Sequence, residues 1–344
     1  MTDPVGVALI GTGFWARRQA AAVQRSESLR LVACYSRDEE RRTAFALEFG
    51  CEAMPTLEAA TENPAVQAVL IVTPNHVHAQ QAAACAERGR HVFVEKPIAD
   101  TLADGEAIRD ACQQAAVVLQ VGHCFRRLGA ARKVKQLLET GVLGKIVLAE
   151  ANFSLPGNLT PDKWRYYRET CPGGPLMQLG VHHADTLQYW LGPALRVQGS
   201  FAHLVTEAEI DDVGVAVLEF ASGAQGVINS SYVSPKTYHL RLFGSEAVLD
   251  YATDMTVWPA AEKVDPATTL TLRTADGDSL VPFESRDMLV DELVEFARCV
   301  RSEAEPETGA PEGLAALAVV RAAMDSHESG GGTSLEVRSH AQSL

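Results

Sequence analysis

Up to His123 the chain alternates short apolar runs with helical stretches. VGVALIG (Val5–Gly11), LRLVACYS (Leu29–Ser36), AVQAVLIVTP (Ala65–Pro74), HVFVEKP (His91–Pro97) and VVLQVGH (Val117–His123) each carry an apolar run. Strands buried on both faces read this way. The Ala-rich and Arg/Glu-rich stretches between them have helical spacing, so the pattern predicts a parallel sheet with crossover helices. Thr101 with Asp104 predicts a capping box ahead of the last of these strands.

After His123 the pattern changes. A helix is expected from about Ala130 to Thr140, stopped by Gly141. Then come strand pairs around small turns: VGVAVLEF and AQGVINSSY flank Ser222-Gly223, YHLRLF and EAVLDY flank Gly244-Ser245, and TLTLRT and SLVPF flank Asp276-Gly277. Turns this short join antiparallel neighbours. Arg286–Ser302 and Pro311–Ser326 read as amphipathic helices, HESGGGTS as a flexible connector, and the final residues as frayed. The chain is therefore an α/β protein: a Rossmann domain over residues 1–123, and an α+β domain with a mainly antiparallel sheet over 124–344.

Length and composition agree with two globular domains, at 344 residues, 47% apolar and 22% charged. With 30 basic against 44 acidic residues the net charge is -14, which argues against a nucleic-acid partner. The seven scattered cysteines form no C-x-x-C pair and no metal-ligand spacing, as free thiols of a reducing cytoplasm would. No apolar run is long enough to span a membrane, and the apolar opening lacks the basic start of a signal peptide.

GTGFWA fits G-x-G-x-x-A through Gly11, Gly13 and Ala16, directly after a strand and opening a helix. Glycine permits the tight turn and close backbone approach to a pyrophosphate, which the helix N-terminus then receives. Phe14 and Trp15 lie inside that turn. The second strand ends in Cys34-Tyr35-Ser36-Arg37, where an NAD site would place a carboxylate. Ser36 and Arg37 suit a 2′-phosphate instead, with Arg41 or Arg42 as helpers or as plain helix surface. NADP is favoured, and Asp38 leaves NAD open. Thr73, Pro74, Asn75 and His78 end one strand, and Glu95 and Lys96 end another, so both face the crevice at the carboxyl ends. A lysine there is either a snorkelling surface residue or a used ammonium.

In this order, GTGFWA, TPN-x-x-H, EKP and GGPLMQLGVHHAD resemble the Gfo/Idh/MocA oxidoreductases over nearly the whole chain. The resemblance implies a Rossmann domain with an antiparallel-sheet domain that often oligomerises, here as a homodimer or homotetramer. It implies hydride transfer between a nicotinamide and a carbinol carbon of a sugar, cyclitol or related diol, with Lys96 catalytic. The family's D-x-G-x-H-x-x-D falls on Gln178, Gly180, His182 and Asp185, so Gln178 replaces an Asp. Helical spacing puts Gln178, His182 and Asp185 on one face and His183 about 100° away. Gln178 then orients substrate, and proton exchange falls to His182 and Lys96. His123, Arg126, Trp164 and Arg165 are further substrate candidates, each with an ordinary structural reading beside it. Two other readings of the same fold are a redox-assisted lyase or glycosidase and a non-catalytic dinucleotide sensor.

Overall fold

The computed structural model describes residues 3–335, which form two compact units. The first runs to Arg127 and also takes in Ala260–Lys263 and Arg286–Leu314. The second is built from Leu128–Pro259, Val264–Ser285 and the chain from Ala315 onward. The expected fraying of the last residues falls mostly outside the described residues.

The first unit carries a six-stranded parallel sheet in the order β3-β2-β1-β4-β5-β6. Its strands are β1 (Val5–Ile10), β2 (Leu29–Tyr35), β3 (Glu52–Met54), β4 (Ala68–Ile71), β5 (His91–Glu95) and β6 (Leu119–Gly122). This is the doubly wound dinucleotide-binding order, with its switch point where β1 neighbours β4. Every residue of β1 and β4 is buried, which explains their unbroken apolar sequences. The short edge strand β3 and helix α3 (Leu57–Glu62) have no counterpart in the sequence reading. The crossovers are α1 (Phe14–Arg25), α2 (Glu39–Phe49), α3, α4 (His78–Ala86) and α5 (Leu102–Gln114). Thr101 does cap α5, accepting from the Asp104 amide at 3.1 Å. The return leg differs from a capping box, because the Thr101 hydroxyl donates to the Asp104 carboxylate at 2.6 Å.

Helix α8 (Met288–Val300) corrects the expected boundary at residue 123/124. Its buried stripe of Leu289, Leu293 and Phe296 belongs to the first unit, where Phe296 meets Phe93 of β5 edge-on at 5.7 Å. Arg25 of α1 pairs with Asp287 at 2.7 Å. Arg127, almost without exposed surface, is surrounded by Glu295, Glu307 and Asp291. An amphipathic helix declares which of its faces is apolar but not which sheet it will cover.

The second unit carries a nine-stranded sheet in the order β14-β13-β12-β11-β7-β10-β9-β8-β15. Its strands are β7 (Ile146–Ser154), β8 (Ala194–Ala202), β9 (Val213–Phe220), β10 (Gln225–Ser231), β11 (Thr237–Gly244), β12 (Val248–Thr253), β13 (Thr268–Thr274), β14 (Gly277–Leu280) and β15 (Thr333–Ser334). The three expected hairpins are β9–β10, β11–β12 and β13–β14, all antiparallel. The exception to antiparallel pairing is β7 with β10. The stretch read as a connector is ordered: His327 ends within α9 (Ala310–Ser329), and Thr333 pairs with Val197 of β8.

The central strands β9 to β12 alternate along most of their length. Ala216, Leu218, Phe220, Ile228, Leu240 and Leu242 are buried on one face. That face receives α7 (Val181–Leu191) and the later part of α9, whose Ala323 carbonyl lies so close to Gly199 of β8 that a Cβ there would meet it at 1.9 Å. The opposite face shows Leu148, Glu150, Val215, Val217, Val227, His239 and Arg241. Helix α6 (Gly129–Thr140) ends at Gly141 with φ +73, the left-handed stop expected of it. The Trp190 indole of α7 donates to the Ala131 carbonyl of α6 at 3.1 Å.

Candidate active site

In the first unit, β1 leads into the glycine turn. Gly11 has φ +107, and a Cβ on it would lie 2.4 Å from the Val72 carbonyl oxygen at the end of β4. Gly13 caps α1 in an extended conformation, and a Cβ there would meet nothing within 4 Å. Gly11 is therefore demanded by the protein itself. Gly13 leaves a bare backbone at a helix N-terminus, a cradle suited to a pyrophosphate. Phe14 is exposed, and Arg18 lies 3.7 Å from its ring centroid and 5.3 Å from that of Trp15. Burial pulls the Arg18 guanidinium down to about 10, against the attraction of Glu262.

At the end of β2 the Thr12 hydroxyl donates to Ser36 Oγ at 3.1 Å, and Ser36 in turn donates to the Asp38 carbonyl at 3.2 Å. Arg37 is exposed. The two helper arginines separate. Arg41 is an exposed surface residue paired with Asp38 at 3.2 Å, whereas Arg42 is buried and donates to the Ser36 carbonyl at 2.7 Å. Asp38 accepts from the Arg41 amide at 2.9 Å as the cap of α2.

Thr73, Pro74 and Asn75 follow β4. The Thr73 hydroxyl donates to Gln81, and Asn75, buried, donates to Asp100 at 3.0 Å. His78 corrects an expectation. It was read as facing the cofactor, but it is fully buried, with Nε2 3.0 Å from the Thr73 carbonyl and Nδ1 3.2 and 3.3 Å from those of Pro97 and Ile98. It ties the loop after β4 to the loop after β5. Burial pushes its imidazole down to about 4, although the surrounding carbonyls favour the charged form.

Glu95 ends β5 and is also turned inward. Its Oε1 accepts from the Trp15 indole at 2.5 Å and from Gln19 at 2.8 Å, and its Oε2 from the Lys96 amide at 3.3 Å. Burial raises its carboxyl, against the pull of the Lys96 charge and of these donors. Lys96 is half-buried, and the Lys96–Pro97 bond is cis. His123 and Arg126 are buried, at the end of β6 and in the turn Cys124–Arg127. The glycine turn, Thr73–Asn75 and Lys96 thus all lie at the carboxyl ends of the neighbouring strands β1, β4 and β5.

In the second unit the region around Gln178 departs from regular α-helix. Leu176–Gly180 is a wider, π-type turn leading into α7. The expected i, i+4, i+7 face therefore holds only from His182 to Asp185, and Gln178 precedes it on a different winding. Gln178, His182 and Asp185 are all buried. His182 lies 5.8 Å from the Phe153 ring. His183 packs against Tyr238 at 4.8 Å, and burial pulls its imidazole down to about 3, in keeping with a packing role. Arg165 is exposed and stacks on half-buried Trp164, 4.7 Å from its ring centroid.

Gln19 and Glu292 were missed by the sequence reading. Each is a polar residue inside an otherwise apolar helical stripe, and that break in the pattern was the available signal.

The fold and the glycine turn define a dinucleotide-binding oxidoreductase in two units. Residues 5–123 match the model of the oxidoreductase family with an NAD-binding Rossmann fold, and residues 131–250 match the GFO/IDH/MocA C-terminal domain. The chain belongs to the Gfo/Idh/MocA family and is an NAD(P)-dependent dehydrogenase or reductase. It is 29% identical to the 1,5-anhydro-D-fructose reductase of Ensifer adhaerens, over 92% of this chain and 95% of that protein. It is also 29% identical to D-xylose 1-dehydrogenase (NADP(+)) 2 of Haloferax volcanii, over 95% and 99% of the two chains. A solved structure from Desulfitobacterium hafniense superposes with a TM-score of 0.93 at 38% identity, over 97% of this chain and 98% of that one. Among the described residues no helix is long and apolar enough to cross a membrane.

Proposed function

We propose that this protein moves hydride between NADP(H) and a carbinol or ketone carbon of a sugar, cyclitol or related diol. The observation that carries the reading is Lys96 at the end of β5, in the same row of strand ends as the glycine turn and Thr73–Asn75. Relatives named as a sugar dehydrogenase and an anhydrosugar reductase support the substrate class. The bound nicotinamide supplies or takes the hydride. The chain's own residues handle the oxygen: Lys96 donates to the developing alkoxide, and His182 takes or returns the proton. Gln178 has no proton to exchange and orients a hydroxyl. Trp164 offers an apolar face to a ring, and Arg165 and Arg126 offer donors to its hydroxyls.

For the cofactor, Asp38 caps α2 and pairs with Arg41, which counts against its serving an NAD ribose. Ser36 and exposed Arg37 suit a 2′-phosphate, and Arg42 braces their loop from below. The test is nicotinamide absorbance with NADP and NAD against aldoses, cyclitols, sugar acids and the matching ketones, on wild type and Arg37→Ala. Wild type is expected to turn over one class, with NADP preferred. Arg37→Ala is expected to weaken NADP about tenfold or more and NAD much less. Equal losses for the two cofactors would remove the 2′-phosphate role, and no turnover with any compound would remove the dehydrogenase reading.

We also propose that the open face of the nine-stranded sheet joins copies of this chain in a homodimer or homotetramer. Val215, Val217, Val227 and Leu148 form an apolar centre on it, with Val217 42% exposed. Glu150, Arg241 and Asp250 stand around them. Val217→Asp is expected to yield monomers in sedimentation equilibrium. A wild type that is already monomeric would sink this.

A further inference from the structure

Behind Lys96 the first unit buries two carboxyl groups against each other. The amide nitrogen of Gln19 donates to both, at 2.8 Å to Glu95 Oε1 and 3.1 Å to Glu292 Oε1. Gln19 and Glu292 have no exposed surface, and Glu95 has 5%. Two neighbouring carboxylates in such a place are not both ionised, since like charges out of water are too costly. The donors decide which one is. Glu95 accepts from Trp15, Gln19 and the Lys96 amide and stands next to the Lys96 charge. Glu292 Oε2 has no protein donor, and the nearby amide oxygens of Gln19 and Gln120 likewise accept nothing. All three are acceptors, so Glu292 Oε2 has no donor to support a charge there, whereas a proton on it removes that need.

We infer that Glu292 is a neutral, protonated carboxylic acid that acts as a positioning residue: through Gln19 it fixes the Glu95 anion against the backbone of Lys96. The inference rests on the reading of Lys96 as the residue that meets the substrate oxygen. The charged and titratable neighbours pull in both directions. Glu95 on β5 repels a second charge, and burial and that repulsion hold the Glu292 carboxyl well above the usual carboxylate range. Arg127, a cation that opposes this, is taken up by Glu295, Asp291 and Glu307. Asp291 adds repulsion from the same helix. The nearby thiol of Cys124 is held well up, above all by its burial, and brings no charge to the pair. The Gln120 amide holds α8 in place by donating to the Glu292 carbonyl at 3.0 Å.

The sign of the pH effect follows. An acid whose folded pKa is raised binds more protons folded than unfolded, so its contribution falls as pH climbs above the ordinary carboxylate value. Glu292→Gln, a neutral isostere of the protonated acid, escapes that loss. Its melting temperature is expected to match wild type near pH 5 and to exceed it by about 3 °C or more near pH 8.5. The positioning role is read on Lys96 itself, from the pH dependence of its reaction with an amine-acylating reagent, followed by peptide mass mapping. Glu292→Ala, or Gln19→Leu where the alanine variant does not fold, is expected to lower the Lys96 midpoint by about half a pH unit or more. Glu292→Gln is expected to keep that midpoint near wild type.

A Glu292→Gln variant less stable than wild type at high pH would overturn the neutral acid. An unmoved Lys96 midpoint in both Glu292→Ala and Gln19→Leu would overturn the positioning role. These readouts need no sugar, so they fail separately from the dehydrogenase reading, which falls if Lys96→Ala keeps its turnover.

Discussion

Lys96→Ala is expected to lower turnover by about a thousandfold or more while leaving NADPH affinity within about threefold of wild type. The split follows from where the lysine sits. Its backbone amide is held by Glu95, and its side chain is half-buried at the end of β5. Truncation at Cβ removes the ammonium and leaves the backbone hydrogen bond of Lys96 to Glu95 in place. What is lost is the donor to an oxygen that becomes negative as hydride leaves its carbon, an interaction strongest in the transition state. The loss therefore falls on kcat more than on KM. Lys96→Arg keeps the charge but cannot exchange a proton, and is expected to fall between the two. NADPH fluorescence titration and single-turnover absorbance separate binding from chemistry. Near-normal turnover in the alanine variant would reject the mechanism.

The parts of this site that were legible in sequence are those set by local backbone chemistry. The glycine turn announces itself because a strand must stop, turn sharply and open a helix within a few residues. The place of Lys96 at the end of a buried strand was legible, but strand position alone left a snorkelling lysine open, and its catalytic role came from the EKP resemblance. The hairpins of the second sheet were readable from alternation and small turns, and Gly141 from its place after an amphipathic run. What escaped depends on contacts distant in sequence. Helix α8 joins the first unit through Phe296 on Phe93 and Asp287 on Arg25, pairs separated by some two hundred residues and more. The Gln19–Glu292 contact spans 273 positions. The wider turn at Leu176–Gly180 reflects how Leu176 and Gly180 pack against the sheet near Gly214 and Ser230, and a helical wheel assumes one winding throughout. His78 shows the opposite hazard. Its motif is plain in sequence, yet a motif does not say whether an imidazole faces a ligand or two loops of its own backbone.

Gly11→Ala and Gly13→Val are expected to fail in different ways, although the motif treats the two glycines alike. At Gly11 the backbone has φ +107, which costs a residue with a Cβ about 1–2 kcal/mol. The new Cβ would also lie 2.4 Å from the Val72 oxygen, so β1 and β4 must part at the switch point. Those strands form the middle of the parallel sheet, and neither has room to give. Gly11→Ala is therefore expected to lower the melting temperature by about 5 °C or more and to weaken NADPH by at least about a hundredfold. At Gly13 the backbone is extended and a Cβ would touch no protein atom within 4 Å. Gly13→Val is expected to melt within about a degree or two of wild type. Its side chain would occupy the space in front of the amides that open α1, where a pyrophosphate must approach the bare backbone. Affinity for NADPH should fall by a similar factor without loss of stability. Differential scanning calorimetry paired with NADPH titration on the two variants decides the matter. A Gly13→Val protein that binds normally would place the dinucleotide elsewhere, and a Gly11→Ala protein as stable as wild type would mean that the turn relaxes where the close contact with Val72 says it cannot.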